Sequence, residues 1–309
     1  MDEKGVTSST DGTTQLLVLL GKDLSRSPSP ATHTQWAQIR KLNFHYNAMS
    51  TNSEAEFISL AESLMRSQHF AGGNITNPFK SAALKLDGVS VDAAALRCGA
   101  ANTLYRREEF STVSWHLTNT DLLGCSESIQ KIMSSIGPDS SIVDLIVLGR
   151  GAMARTVLRA VEDFSALSGV EFDALIGGRD SLPIDPLPKF NLNSFRYFNL
   201  NDEALVTNVA ENLPTNRHLL CINTLPGGTN TEAETTIHNT LRTLSNSGHW
   251  QQRKFFCVSY AEQTWHSTAR QLGWDVINGD LLFEIQARAA FKLWTGVDAP
   301  NHPTALLRS

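Results

Sequence analysis

Short apolar runs recur along the chain, separated by stretches in which apolar residues return at helical spacing. Residues 15–20 form the first run and read as a buried parallel strand. Helical spacing follows from Ala31 through Trp36, Ile39 and Leu42, and residues 44–48 suggest a second strand. Residues 54–67 place Phe57, Leu60, Ala61 and Leu64 on one face, the pattern of an amphipathic helix. Residues 82–86 and 91–97 read as helical or irregular. Gly99 is expected to begin a strand, and the alternation over 113–117 predicts another. A helix is predicted from Leu122 to Ile136, ending in the turn cluster 137–141, where a second domain is expected to start.

Beyond that turn, strand and helix alternate. Residues 142–148 are an apolar strand, Gly149-Arg150-Gly151-Ala152-Met153-Ala154-Arg155 a glycine turn, and Val157, Leu158 and Val161 mark the helix behind it. Strands are expected over 172–178, 195–198 and 218–224, with a proline-rich loop over 181–190. The last strand of this domain is expected over 255–260, and a long helix over 279–296. No internal repeat is evident. Alternation of this kind predicts an α/β fold with parallel sheets, and 309 residues suffice for two domains.

Composition narrows the classes. A net charge of −5 and 41% hydrophobic residues argue against a large basic footprint for nucleic acid. No apolar run is long enough to span a bilayer, so no membrane partner is expected. The first residues are polar and acidic, read as a disordered leader without the apolar core of a secretory signal. Cys98, Cys125, Cys221 and Cys257 stand far apart with no CxxC spacing, so neither a metal site nor a disulfide framework is expected. Reduced thiols suit a cytoplasmic location.

Candidate chemistry concentrates in Gly72-Gly73-Asn74-Ile75-Thr76-Asn77-Pro78-Phe79-Lys80. The two glycines are expected to let the backbone turn tightly, and an amide, a hydroxyl and a lysine follow. Cys98-Gly99-Ala100-Ala101-Asn102-Thr103-Leu104 and Thr118-Asn119-Thr120-Asp121-Leu122-Leu123-Gly124 repeat Asn and Thr at strand edges. Asp121 suits a helix N-cap as well as a chemical role. The glycine turn after strand 142–148 has the context of a dinucleotide fingerprint, in which a pyrophosphate rests on a helix N-terminus. Arg179 and Asp180 follow the next strand, where such folds read the adenosine ribose. An arginine there suits a 2′-phosphate and an acid the free hydroxyls, and the chain offers both.

The motifs GxNITxPFK, GAxNT and NTDxxG, in this order, resemble the shikimate/quinate dehydrogenase family, and the resemblance runs from about Leu16 to Gly296. It implies two α/β domains with a cleft between them: a substrate-binding domain over 1–124, completed by 280–309, and a Rossmann-like domain over 125–279. It implies Lys80 and Asp121 as the catalytic pair. Ser27 and Ser29 would bind a substrate carboxylate, and Asn74, Thr76, Asn102 and Gln286 would read ring hydroxyls, with Tyr260 a further contact. Gly149, Arg150, Gly151, Ala152, Met153, Ala154, Arg179, Asn223 and Gly279 would hold NADP or NAD, NADP being slightly favoured. A homodimer is compatible with it. The substrate half matches almost position for position. The cofactor half departs at Arg150, Ala152, Met153, Gly178, Asp180, Leu225 and Cys257, and Leu282 stands where the family has Met.

The resemblance implies reversible hydride transfer between NAD(P) and a ring alcohol of shikimate, quinate or a close hydroxylated carboxylate. Two alternatives stand beside it. One is a relative that senses such an acid without turnover, supported by the altered nucleotide turn. The other is an enzyme for a related secondary metabolite, with Asp23 and Arg26 changing the acid admitted.

Overall fold

The computed structural model describes residues 14–301 apart from 111, 137–140, 179–189, 203–205, 209–210, 215, 227–230, 248–249 and 261–262. The chain forms two compact units, one running to Gly124 and resuming at Phe283, the other spanning Cys125–Leu282.

The strands of the first unit are β1 (Gln15–Gly21), β2 (Phe44–Ser50), β3 (Phe70–Ile75), β4 (Val89–Val91), β5 (Thr103–Glu109) and β6 (Thr112–Thr118). Among the described residues they form one mixed sheet, ordered β2-β1-β3-β5-β6-β4. Pairing is parallel from β2 through β1 to β3, antiparallel to β5 and β6, and parallel again to β4. The uninterrupted apolar run of β1 has its reason here, since both faces are covered. Val18 and Leu20 pack with Phe57, Phe70 and Ile75, while Leu17 and Leu19 pack with Tyr46, Ala290 and Trp294. Around the sheet lie α1 (Ser29–Arg40), α2 (Glu54–Met65), α3 (Ala93–Cys98) and the start of α4 (Thr120–Ser134). Ser53 caps α2, its hydroxyl accepting the Glu56 N–H at 3.2 Å, and Asp92 caps α3 in the same way through Ala95.

In the second unit are β7 (Ile142–Leu148), β8 (Glu171–Gly178), β9 (Ser194–Asn199), β10 (His218–Asn223), β11 (Arg253–Cys257) and β12 (Asp275–Ile277). Among the described residues they pair in parallel in the order β12-β11-β10-β7-β8-β9. The helices are α5 (Ala152–Ser168), α6 (Thr231–Ser247) and α7 (Thr264–Gln271), and α8 (Asp280–Thr295) carries the chain back into the first unit. This is the Rossmann-like order. Its switch point lies between β7 and β10, whose carboxyl ends are where such sheets bind ligands.

Four expectations need correction. Gly72 and Gly73 do not form a turn; they lie inside β3. A Cβ on Gly73 would stand 2.1 Å from the Val18 carbonyl oxygen, and one on Gly72, at φ +136°, would stand 2.3 Å from that of Leu104. These glycines therefore serve close approach between strands, and the turn begins only at Thr76. Gly99 does not open a strand; it closes α3 in the left-handed region at φ +60°, and β5 starts at Thr103. The helical spacing read through Leu42 outruns the helix: α1 ends at Arg40, and Lys41 closes it in the left-handed region at φ +55°. β11 is not the last strand of its sheet: β12, too short to show a pattern, lies beyond it. Most of the proline-rich segment over 181–190 lies outside the described residues.

The close approach at Gly73 makes a prediction. Gly73→Ala forces a methyl against backbone that cannot swing aside, so a loss of about 2–3 kcal/mol is expected. A urea unfolding curve checks it, and an unchanged midpoint would mean that β1 and β3 can separate at no cost.

Candidate functional site

Antiparallel pairing brings several polar residues to one edge of the first sheet. β1 and β3 end there with Leu20 opposite Ile75, while β5 starts and β6 ends there with Thr103 opposite Thr118. From this edge the chain runs into the segments that carry the candidate residues.

After β3 the backbone leaves through Thr76, whose N–H donates to the Leu20 carbonyl at 2.8 Å, and through a cis Asn77–Pro78 bond. Phe79 turns into the core, stacked on Phe57 at 5.0 Å, which directs Lys80 the other way. The Lys80 carbonyl accepts the Ala101 N–H at 2.8 Å and ties this segment to the one before β5. Asp121 sits in the first turn of α4, whose positive end complements its charge. The Lys80 ammonium donates to the Asp121 carboxylate at 2.7 Å, with the side chains 18% and 8% exposed. The two candidate catalytic residues are thus joined in a partly desolvated ion pair.

Beside the pair, the Asn102 side-chain oxygen accepts from the Thr120 N–H at 2.7 Å, and its amide nitrogen donates to Gln286 Oε1 at 3.5 Å. Asn74 donates to the Asn102 carbonyl and to Thr103 Oγ1, each at 3.2 Å, while its oxygen accepts the Tyr46 hydroxyl at 2.7 Å. Both amide hydrogens of Asn74 are therefore spent within the protein, and its geometry is that of a brace under Asn102. In the loop after β1, Ser27 Oγ accepts the Ser29 N–H at 3.3 Å, which leaves its own O–H to donate outward. Ser29 opens α1 and is buried. Tyr46, Thr103 and Thr120 are the supporting residues that the motifs alone do not single out. Thr103 and Thr120 lie inside the quoted motif strings, while Tyr46 shows itself only as an inward position of β2.

In the second unit, Gly149 turns the chain out of β7 at φ +114°. A Cβ there would stand 2.4 Å from Thr224 Oγ1, so only glycine fits. Gly151 caps α5 and is exposed, with nothing within 4 Å of where its Cβ would be, so the turn is open on that side. This bare turn ahead of a helix N-terminus fits a dinucleotide pyrophosphate. Ala152 and Met153 are half-buried in the first turn of α5, and Ala154 is buried, so it packs the helix. Asn223 is fully buried. Its oxygen accepts the Leu225 N–H at 3.0 Å and its amide donates to Cys257 Sγ at 3.6 Å, so this side chain shapes the loop after β10. Gly279 is pressed on the backbone past β11, a Cβ there standing 2.3 Å from the Val258 carbonyl oxygen. Tyr260 follows β11 in this unit. Arg179, with Asp180, lies outside the described residues, as does Gly228. All four cysteines are buried, and burial raises the Cys221 thiol far above its usual range. No helix of the described residues is long and apolar enough to cross a membrane.

Comparison with known proteins agrees with this geometry. Residues 19–104 match the family model of the shikimate dehydrogenase substrate binding domain. The chain is 27% identical over 286 residues to a shikimate dehydrogenase (NADP(+)) of Hyphomonas neptunium, covering 92% of this chain and 93% of that protein. Over 146 residues, 46% of this chain and 48% of the other, it is 36% identical to a quinate/shikimate dehydrogenase (NAD(+)) of Corynebacterium efficiens. The fold matches the crystal structure of shikimate dehydrogenase 1 from Peptoclostridium difficile, with TM-score 0.71, 19% identity, and 93% and 94% of the two chains covered. The chain is thus similar to shikimate dehydrogenases, most specifically over residues 19–104, which include Lys80, and more distantly over most of its length.

Proposed function

We propose that the protein is an NAD(P)-dependent dehydrogenase that interconverts a ring alcohol and ketone on shikimate, quinate or a close hydroxylated cyclohexane or cyclohexene carboxylate. The observation that carries the reading is the Lys80–Asp121 ion pair at 2.7 Å on the polar edge of the first sheet. Nicotinamide supplies hydride transfer, and the protein supplies position and charge. Lys80 Nζ–H donates to the reacting oxygen and stabilises negative charge on it, while Asp121 fixes the ammonium and shares the proton.

The Ser27 hydroxyl, with one lone pair taken by the Ser29 N–H, donates to the substrate carboxylate, and Ser29 assists. Thr76, Asn102 and Gln286 read ring hydroxyls, and Asn74 acts through Asn102. A site of buried donors and acceptors rejects rings that lack the matching hydroxyls, because its own groups would go unpaired. The glycine turn and the start of α5 take the dinucleotide. Four buried cysteines with no CxxC spacing suit a cytoplasmic enzyme. Sensing without turnover is disfavoured, since binding alone gives no reason to keep an ammonium and a carboxylate joined at the reacting centre.

The test is nicotinamide absorbance with shikimate and quinate crossed against NAD⁺ and NADP⁺. Turnover in at least one combination is expected. Binding of either acid by calorimetry with no turnover in any of them would overturn the enzyme in favour of the sensor.

A further inference from the structure

In a Rossmann-like sheet the adenosine ribose is read at the carboxyl end of the second strand, where an acidic side chain favours free hydroxyls and an arginine accommodates a 2′-phosphate. The second strand here is β8, and it ends in Gly177-Gly178, with no acidic side chain at its end among the described residues. What occupies that place comes from another element. A Cβ on Gly178 would stand 2.1 Å from Arg150 Nε, 2.4 Å from its Cδ and 2.8 Å from its Cζ. The Arg150 side chain therefore lies directly on the bare Cα of Gly178.

The path of this side chain follows from the register. β7 pairs with β8 through Leu148 opposite Gly177, so Arg150, two residues beyond β7, emerges beside the last residue of β8. Its charge reaches β9 as well. Burial raises the Tyr197 hydroxyl, and the positive charge of Arg150 opposes that rise. Tyr197 lies opposite Ile176, two residues before Gly178. The guanidinium thus extends from the glycine turn onto the end of β8 and toward β9. Arg150 and Gly178 are separate departures from the family pattern, and in the structure they meet. The missing side chain of one makes the space that the other fills.

We propose that Arg150, seated on Gly178, is the residue that selects NADP over NAD by gripping the 2′-phosphate of the adenosine ribose. A guanidinium presents a planar fork of donors matched to phosphate oxygens. The inference rests on the dehydrogenase reading above and adds to it which form of the dinucleotide is chosen and by which side chain.

The test needs no turnover. The full-length protein is titrated by calorimetry with 5′-ADP and with 2′,5′-ADP, which differ only in the phosphate at issue. The unsubstituted protein is expected to prefer 2′,5′-ADP. Arg150→Met should weaken 2′,5′-ADP by about tenfold or more, the value of a charge-assisted hydrogen bond, and leave 5′-ADP within about twofold. Gly178→Val keeps the charge but takes the seat, and should remove the same preference; melting curves of both variants establish that they are folded.

Equal weakening of both nucleotides by Arg150→Met would overturn the proposal, since Arg150 would then serve the pyrophosphate or the turn itself. A preference that survives Arg150→Met would overturn it by placing the 2′-phosphate on another group. Equal binding of the two nucleotides by the unsubstituted protein would overturn it while leaving the dehydrogenase reading intact. Binding of neither would remove that reading, and Arg150's role with it.

Discussion

Lys80→Ala is expected to lower kcat by about 10²–10⁴-fold while the carboxylate-bearing substrate still binds, the scale of a positioned proton-transfer group. The split between kcat and binding matters. The residues proposed to hold the acid, Ser27, Ser29, Thr76 and Gln286, are untouched by the change, so binding should largely persist. What disappears is the proposed donor to the reacting oxygen and the cation that neutralises Asp121, whose side chain is only 8% exposed. An unpaired, largely buried carboxylate also costs stability, so binding is to be measured well below the variant's melting temperature. Asp121→Asn should lower kcat as well, because the ammonium loses the group that fixes it at 2.7 Å. Initial rates by nicotinamide absorbance, with the acid's affinity measured separately by calorimetry, check both variants. Unchanged turnover in Lys80→Ala would take Lys80 out of the reaction, and a loss confined to binding would make it a substrate clamp.

How far the chain could be read differs between its halves for physical reasons. Strands buried on both faces leave uninterrupted apolar runs, so β1, β7 and β10 are visible in one dimension. The site residues of the first unit come in short motifs because the hairpin of β5 and β6 and the neighbouring β3 bring three loops to one edge. Each loop carries its polar residues in one short string, so Lys80, Asn102 and Asp121 stand out as candidates, although 41 residues separate Lys80 from Asp121. Gly72 and Gly73 suggest a turn in one dimension because a glycine needed for a turn and one needed for a close strand approach look alike until the Val18 and Leu104 carbonyls are in place. The partnership of Arg150 with Gly178 is of the same kind, a contact between separate strand ends that no local pattern announces. Tyr46 was hidden as an ordinary strand aromatic, although its hydroxyl orients Asn74. His33 was hidden too, since a polar residue on a helix is expected to face water.

His33 supplies the second large effect, on stability. It is fully buried and enclosed by rings: Tyr46 at 4.8 Å, Trp294 at 5.1 Å, Trp36 at 5.5 Å and Phe291 at 6.3 Å. Neither of its ring nitrogens has a hydrogen-bond partner. Burial pushes its pKa down to about 3. The folded protein therefore keeps His33 neutral while the unfolded chain takes up a proton below pH 6.5, so stability from this group is present above that pH and is lost as pH falls toward 3. Between pH 7 and pH 4 the loss is about 3 kcal/mol. Asp144, wholly buried in β7, works the other way. Burial raises its pKa to about 6 despite Arg217, helped by Asp173, so its folded state gains protons first, and stability is recovered as pH falls from above 6 toward the ordinary carboxylate range. That recovery is also about 3 kcal/mol. The two groups oppose each other over one pH window, and single variants should separate them. Relative to the unsubstituted protein, His33→Phe should grow more stable on acidification from pH 7 to pH 4, and Asp144→Asn should grow less stable. Carboxylates common to all three proteins cancel in the differences. Urea midpoints at pH 7, 5.5 and 4 make the measurement, and three parallel curves would show that neither group titrates differently on folding.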